Sequence, residues 1–303
     1  MRIGIVGNLD RWHEADLRRA AACHEAEGRP CALRRLSVEN LIAAVGGETC
    51  DIANAINGEP LDSFDALLVR AIPPATLQQI VFRMDVLGEF ARRRGVVVNS
   101  PRTIETAIDK FLTTARLQAA GLPVPRTLCC ETVAAARDAF ERLGGDVVCK
   151  PIFGGEGRGM LRIDHPALAE RVFGALTRLG EVIYLQEFIA AVFDVRLLVV
   201  GERVYAIRRY NDNDWRKNLT RGGRATPFQP PADVINLGVR SAAAVGAVLC
   251  GVDLLPRPGG GWYVLEVNAS PGWKGLSQTL QIDVAAAVLD LVEESVSRVL
   301  RVS

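Results

Sequence analysis

Three oxygen-bearing side chains near the C-terminus have types and spacing that suit a cation site. The run 262–272 predicts a strand that ends in a turn, and Glu266 and Asn268 lie near the end of this strand. Successive side chains of a strand point to opposite faces, so Glu266 and Asn268 share one face, and Leu265 and Val267 are expected in the core. Carboxylate and amide oxygens are ligands for a hard cation such as Mg²⁺.

Asp253 is a third candidate ligand, on a predicted strand at 249–255. The Pro- and Gly-rich residues 256–261 are typical of a turn, so a hairpin could bring Asp253 beside Glu266. Together with Asn268 they would form an oxygen-only metal site. The sequence does not fix the register of this hairpin, and an exposed hairpin edge with ordinary polar residues is the alternative.

A glycine-rich loop at 153–159 follows a predicted strand that ends at Lys150. Glycines let backbone N–H groups approach phosphates closely and allow a mobile flap. Arg158 adds charge, but no Gly-Lys-Ser/Thr follows, so the loop is not of the Walker A type. The glycines assigned to phosphate binding are Gly155, Gly157 and Gly159.

Several arginines could hold anions. Arg70 follows a predicted strand at 64–69, and ligands of parallel α/β layers lie at strand carboxyl ends, so Arg70 could hold a substrate carboxylate. A surface arginine at a turn is the alternative. Asp194 and Arg196 share one strand face, and with Arg208 on the next strand they could project into one cleft; a solvated sheet face is the alternative.

The segment 210–231 has no apolar period, and a loop of this length in a compact domain is usually functional or disordered. Arg216, Lys217 and Arg221 suit a triphosphate, and Asn218 could lie near a metal. A solvated run of charges is the alternative.

The predicted strand at 181–189 is nearly free of polar residues before Gln186. Such a strand could offer backbone groups and Glu187 to an adenosine, and a plain core strand is the alternative.

Composition bounds the class of protein. The chain has 303 residues, enough for two or three domains, with 49% hydrophobic and 23% charged residues and a net charge of +1. This balance gives no sign of a nucleic-acid or membrane partner, and no signal peptide or span-length apolar run is predicted. Seven cysteines without C-x-x-C spacing indicate reduced thiols in a cytoplasm, and three scattered histidines argue against a histidine triad or zinc centre.

Strands that alternate with helices over the first hundred residues predict a parallel α/β layer. Taken in order, the segments above resemble the ATP-grasp superfamily, and most closely its RimK-like branch of carboxylate–amine (alpha-L-glutamate) ligases. The resemblance runs from about residue 65 to the end, and the first 60 residues match only in their α/β character. The matching pieces are Asp109-Lys110, 148–151, 154–159, 186–189, 194–196, 216–223, 251–253 and 265–272.

The resemblance implies an α/β (α+β) fold. An N-terminal parallel α/β domain, residues 1–100, would precede two α+β subdomains, 101–183 and 184–303, that clasp ATP. A homo-oligomer is compatible with the resemblance, with the predicted helix at 75–90 or the last helix as the interface.

The resemblance also implies roles for matched positions. Lys110 and Lys150 would contact the phosphates of ATP, and the flap would close over them. Adenine and ribose would meet Gln186, Glu187, Phe188, Ile189 and Asp194. Further nucleotide contacts would come from Arg216, Lys217 and Asn218. Asp253, Glu266 and Asn268 would hold two Mg²⁺ ions, with Glu266 bridging and Mn²⁺ as an alternative ion. The catalytic arginines would be Arg196, Arg208 and Arg221, and the substrate-binding arginines Arg70 and Arg221.

The reaction implied is amide formation through an acyl phosphate made from ATP. The first expectation is addition of glutamate, by its amine, to a small anionic carboxylate acceptor such as a tetrahydromethanopterin-type cofactor. Glutamylation of a protein C-terminus, as in ribosomal-protein modification, is the second, and a non-catalytic nucleotide-binding module is a third.

Overall fold

The computed structural model describes residues 1–44, 52–54, 59–93, 95–155 and 157–302. The N-terminal domain is built on a parallel sheet of strand order β2-β1-β6-β7, as predicted. Its elements are β1 (Arg2–Val6), α1 (Arg11–Ala26), β2 (Ala32–Leu36), β3 (Leu41–Ala43), β4 (Ile52–Asn54), β5 (Glu59–Pro60), β6 (Ala66–Val69), α2 (Leu77–Arg92) and β7 (Val96–Val98). Strand β6 is entirely apolar because helices and strands cover both of its faces. The small antiparallel sheet β3-β4-β5 was not predicted.

The central part carries an antiparallel sheet of order β10-β9-β11-β8. Its elements are α3 (Pro101–Ile108), α4 (Lys110–Ala119), β8 (Thr127–Cys130), α5 (Val133–Arg142), β9 (Val147–Lys150), β10 (Leu161–Ile163), α6 (Pro166–Arg178) and β11 (Ile183–Glu187). Asp109 separates α3 from α4 because its side chain accepts the N–H of Leu112 as the N-cap of α4. The boundary predicted at 183/184 stays a prediction, and β11 crosses it within the central sheet.

The C-terminal part is a five-stranded antiparallel sheet of order β14-β13-β12-β15-β16. Its elements are β12 (Phe193–Val200), β13 (Arg203–Tyr210), β14 (Arg224–Pro227), α7 (Ala232–Val245), β15 (Leu249–Pro256), β16 (Trp262–Asn268), α8 (Lys274–Leu280) and α9 (Val284–Val302). Strand β14 and helix α8 were missed, since β14 lies inside the segment without an apolar period and α8 is short.

Helix α9 returns to the N-terminal domain and packs against α1. One apolar cluster joins Ile5 and Leu68 of the parallel sheet to Val288 of α9 and Leu198 of β12. The first and last parts of the chain therefore share a core.

At the rim of this contact, the ring of His24 lies beside the carboxylates of Asp290 and Glu293. Arg29 Nη1 already contacts both carboxylates, at 3.0 and 2.9 Å, so the group acts as an ion-pair network between α1 and α9.

Within the described residues, no single helix is long and apolar enough to cross a membrane. Helices α8 and α9 reach that length and composition only together, with a bend of 116° between them.

Two glycines near the end of the N-terminal domain test the packing. An alanine Cβ at Gly88, inside α2, would meet no heavy atom within 4 Å, whereas one at Gly95 would overlap the ring of Phe90, which is 2% exposed. We expect Gly88→Ala to raise the free energy of unfolding by about 0.5–1 kcal/mol through helix propensity. Gly95→Ala should lower it by about 1–3 kcal/mol, because the buried ring must move. Urea unfolding measures both, and equal stability of the two variants would contradict the packing around Phe90.

Candidate active site

A cleft lies between the central sheet and the C-terminal sheet. The predicted site residues that line it are Lys150, Gly157, Gln186, Glu187, Phe188, Ile189, Asp194, Arg216, Lys217, Asn218, Asp253 and Glu266. Lining residues to which the sequence analysis gave no role include Val148, Met160, Ala191, Arg209, Trp215, Leu255 and Leu265.

The hairpin of β15 and β16 supplies the acidic end of the cleft. Its register pairs Asp253 directly with Glu266, which settles the point that the sequence left open. A bulge follows, because Leu254 pairs with Val264 and Leu265 is left without a partner. Val264 and Val267 therefore both point into the core, while Leu265 lines the cleft. The expectation that Leu265 is a core residue was wrong for this reason.

Two arginines contact the carboxylate of Asp253. Arg196 lies opposite Asp253 on β12, and its Nε is 2.7 Å from Asp253 Oδ1. The Nη2 atom of Arg209 is 3.0 Å from the same oxygen. Arg209 also donates two hydrogen bonds, of 2.7 and 2.8 Å, to the carboxylate of Asp194. Asp194 is thus already bound within the protein.

Arg209, not Arg208, is the arginine of β13 that faces the cleft. The register places Arg209 opposite Asp194, whereas Arg208 is opposite Val195 on the other face. The guanidinium of Arg208 packs over the rings of Phe193 and Phe228, at 4.8 and 4.4 Å from their centroids. The prediction that Arg208 projects into the cleft was wrong. A signal for Arg209 existed: a two-residue turn at Gly201-Glu202 fixes the pairing of this hairpin.

Burial and charge perturb the two carboxyl groups in opposite directions. Burial raises the pKa of Glu266, and the neighbouring Asp253 carboxylate raises it further. Burial also acts to raise the pKa of Asp253, but Arg196 and Arg209 outweigh it and lower that pKa. A hydrogen bond from a protonated Glu266 would also lower the pKa of Asp253. Two carboxyl groups so placed need either a proton or a cation between them.

Two lysines of the central part lie near each other: Lys150 lines the cleft, and Lys110 is close to it but does not line the cleft. Burial lowers the pKa of Lys150 to about 8, and its ammonium donates to Gln186 Oε1 at 2.6 Å. Burial likewise lowers the pKa of Lys110, while Glu266 opposes the change. Lys110 Nζ donates to the carbonyl of Gly154 at 2.6 Å, so this lysine contacts the base of the glycine-rich loop.

The glycine-rich loop is tied to the long loop after β13. Arg216 donates to the carbonyl of Gly157 at 3.3 Å and also pairs with Asp214. Lys217 Nζ contacts the carbonyl of Asn211 at 3.0 Å. Gly155 and Gly159 belong to the glycine-rich loop but do not line the cleft.

The far end of the cleft is aromatic. Phe188, which follows β11, meets Trp215 of the long loop edge to face, with ring centroids 5.9 Å apart. The side chain of Glu187 is held by Arg126, with Oε2 at 2.7 Å from Nε. An aromatic surface of this kind can stack against a flat base.

Two other predicted residues lie away from the cleft lining. Asn268 Oδ1 accepts the N–H of Ser270 at 2.9 Å, at the end of β16. Arg70 is 5% exposed, donates to the carbonyl of Pro271 at 2.7 Å and stacks on Trp273 at 4.6 Å. It is not a surface arginine. The side chain of Arg221 lies outside the described residues.

Comparison with known proteins agrees with this geometry. The RimK-like ATP-grasp domain matches residues 107–292. The chain is 32% identical over 245 residues to a probable alpha-L-glutamate ligase of Maridesulfovibrio salexigens, with 78% of this chain and 79% of that protein covered. It is 30% identical over 263 residues to the tetrahydromethanopterin:alpha-L-glutamate ligase of Methanosarcina acetivorans, with 77% and 81% covered.

Solved structures agree on the fold. The ATP-grasp ligase PsnB, complexed with a phosphomimetic variant of its minimal precursor, Mg and ADP, has a TM-score of 0.73 at 22% identity, over 97% of this chain and 98% of that one. A RimK domain ATP-grasp protein from Sphaerobacter thermophilus has a TM-score of 0.70 at 22% identity, over 97% and 100%. The predicted ATP-grasp fold is confirmed, and the chain belongs to the RimK-like ATP-grasp family of ligases.

Proposed function

We propose that this protein uses ATP to join the amine of glutamate to a carboxylate of a small anionic acceptor. The observation that supports this most directly is the convergence of Lys150, Asp253 and Glu266 on one cleft. The names of relatives at about 30% identity favour glutamate as the amine donor and an acceptor of the tetrahydromethanopterin type.

Nucleotide binding follows from the polarity of the cleft. The aromatic end, with Phe188, Trp215 and Ile189, would take the adenine, and Gln186 and Glu187 would lie beside it. Lys110 and Lys150 would contact the phosphates under the glycine-rich loop, with Arg216, Lys217 and Asn218 closing from the long loop. Asp194 would approach the ribose only from its edge, because both of its oxygens already accept from Arg209.

The acidic end of the cleft fits a divalent cation. Asp253 is buried and Glu266 beside it is half-buried, both are hard oxygen donors, and Asn268 lies two residues after Glu266 on the same strand. We propose that these three residues would hold two Mg²⁺ ions, or Mn²⁺. The ions would offset the charge of the nucleotide phosphates.

A carboxylate is too stable to react with an amine, so its oxygen would first attack the γ-phosphate of ATP. The P–O bond to ADP breaks, and an acyl phosphate forms. The glutamate amine then attacks the acyl carbon, and phosphate leaves with loss of a proton from nitrogen. Arg196 would stabilise the oxyanion, and the closed loop would keep water from the acyl phosphate.

Two arginines remain proposed for substrate carboxylates. Burial lowers the pKa of Arg70 to about 10, and its Nε and Nη1 atoms have no hydrogen-bond partner among the described residues. A substrate carboxylate would supply the missing acceptor. For Arg221, both the substrate-binding role and the catalytic role are proposed from the sequence alone.

Mass spectrometry of reaction products tests the function directly. The protein would be incubated with Mg-ATP, glutamate and either reduced pterin and deazaflavin cofactors or peptides with free C-termini, while ADP release is followed. We expect a glutamyl adduct on a cofactor. An adduct on a peptide alone would move the function to protein modification, and nucleotide binding without any adduct would contradict the proposed acceptors.

Glu266→Gln keeps the size of the side chain but removes its charge. We expect acceptor-dependent ADP release to fall about 10²–10³-fold in kcat, as when one preorganised electrostatic group is lost. Glu170→Gln is the matched control, because Glu170 is exposed and paired with Arg137 on the neighbouring helix. Wild-type turnover of Glu266→Gln would refute the metal assignment.

Lys150 should make nucleotide affinity depend on pH. Its ammonium pKa of about 8 means that the free protein loses this charge as pH rises above 8. The Kd of a non-hydrolysable ATP analogue should therefore rise about tenfold between pH 7 and pH 9. Lys150→Arg stays charged and should bind more weakly but with a flatter profile. Calorimetry measures both, and parallel profiles would show that Lys150 is not the titrating group.

A further inference from the structure

The two strands that carry Asp253 and Glu266 are held at one end by a residue of the N-terminal domain. Asn99 follows β7 and is 1% exposed. Its Nδ2 donates to the carbonyls of Leu249 and Ala269, at 2.6 and 2.7 Å. Its Oδ1 accepts the N–H groups of Val248 and Leu249, at 2.9 and 3.2 Å. The amide thus bridges the start of β15 to the residue after β16.

This bridge continues the ladder of the hairpin. The pair of β15 and β16 residues nearest to Asn99 is Gly251 with Asn268. The following pair, Val252 with Val267, points into the core, and the pair after it is Asp253 with Glu266. A side chain that joins Leu249 to Ala269 therefore fixes the separation of the two strands a few residues from both carboxylates. Hydrogen bonds to buried backbone groups are costly to remove.

The turn after the hairpin is held by the same domain. Arg70 Nη2 donates to the carbonyl of Pro271, and His13 Nε2 accepts the N–H of Trp273 at 3.0 Å. Burial lowers the pKa of His13, which keeps its ring neutral, and Nδ1 faces Asp10 Oδ2 at 2.8 Å. With Nδ1 protonated, Nε2 is the acceptor that Trp273 requires.

We propose that Asn99 is a positioning residue for the metal-binding hairpin, a role that rests on the cation site proposed above. It touches neither nucleotide nor cation. It sets the spacing of the strands from which Asp253, Glu266 and Asn268 project. Residues that orient metal ligands from outside the coordination shell commonly change metal affinity about 10–100-fold when they are replaced.

The experiment compares the affinity of a non-hydrolysable ATP analogue with and without Mn²⁺, by calorimetry. The ratio of the two Kd values is the gain due to the metal. We expect Asn99→Ala to reduce this gain about tenfold while the metal-free Kd changes less than about twofold. A variant that had only lost folding stability would show either no change in the two Kd values or the same change in both, so the ratio of the two values would stay at that of the wild type.

Thr103→Val is the matched control. Thr103 is 3% exposed and donates to the carbonyl of Gly246 at 2.7 Å, so it also joins the region after β7 to the C-terminal part. Its replacement removes a buried hydrogen bond but leaves the Leu249–Ala269 bridge in place. The metal gain should stay at the wild-type value.

Asn99→Asp provides a second variant that keeps the size of the side chain. The atoms in contact with the amide are backbone groups of Val248, Leu249 and Ala269, so a carboxylate would face two carbonyls. Burial should raise the pKa of the new carboxyl group. Its protonated form can again donate one hydrogen bond. The ratio of the variant's metal gain to that of the wild type should therefore recover as pH falls from 8 to 5.5.

A full metal gain in both Asn99 variants, or an equal loss in Thr103→Val, would overturn the positioning role alone. No metal gain in the wild-type protein would overturn the proposed cation site and this inference with it. If Asn99→Ala does not fold, the pH dependence of Asn99→Asp decides the question.

Discussion

Asp253 is buried and lies directly beside the half-buried Glu266 on the neighbouring strand, and the rest of the cleft compensates for this placement. Removing a carboxylate from water costs several kcal/mol unless charges or hydrogen bonds replace the solvent. Arg196 and Arg209 supply that replacement for Asp253 from the same sheet. The charges that favour the ionised form of Glu266 are those of Arg196, which already contacts Asp253, and of Lys150 and Lys110 from the central part, and they do not outweigh the rise in the pKa of Glu266. The unequal compensation leaves Glu266, rather than Asp253, as the carboxyl group with the raised pKa.

The same constraint accounts for residues that carry no charge. Gly251 lies two residues before Asp253 on the same face, directly beneath Arg196, and a Cβ at this position would overlap the guanidinium. Glycine therefore lets Arg196 lie flat against β15 and reach Asp253. Across the cleft, Lys110 contacts the base of the glycine-rich loop and Arg216 contacts Gly157 within it. The position of the loop is thereby coupled to residues that would bind phosphate.

The sequence predicted the ATP-grasp fold and most of the cleft residues through an ordered set of motifs that resemble the family, and strand alternation placed Asp194 with Arg196 and Glu266 with Asn268 on shared faces. Alternation failed at Leu265, where a bulge inserts one residue and reverses which side chains face inward. It also misassigned Arg208. The two-residue turn at Gly201-Glu202 places Arg209, and not Arg208, opposite Asp194. Trp215 had no detectable signal, since its position depends on Phe188, which belongs to a segment before β12.

The N-terminal domain shows how much of a site can lie beyond local patterns. Its first 60 residues predicted only alternating strands and helices. Yet His13, and further along the same domain Arg70 and Asn99, form hydrogen bonds with residues that follow them by 260, 201 and 150 positions. Hydrogen bonds between residues so far apart produce no periodic pattern in the sequence, because they place no requirement on the residues next to either partner. These contacts have a mechanical consequence: a substrate held at the carboxyl edge of the parallel sheet would share one rigid frame with the hairpin that carries Asp253 and Glu266. Acyl-phosphate formation needs the substrate carboxylate aligned with the terminal phosphate, and such alignment contributes to rate only when both are fixed in one frame.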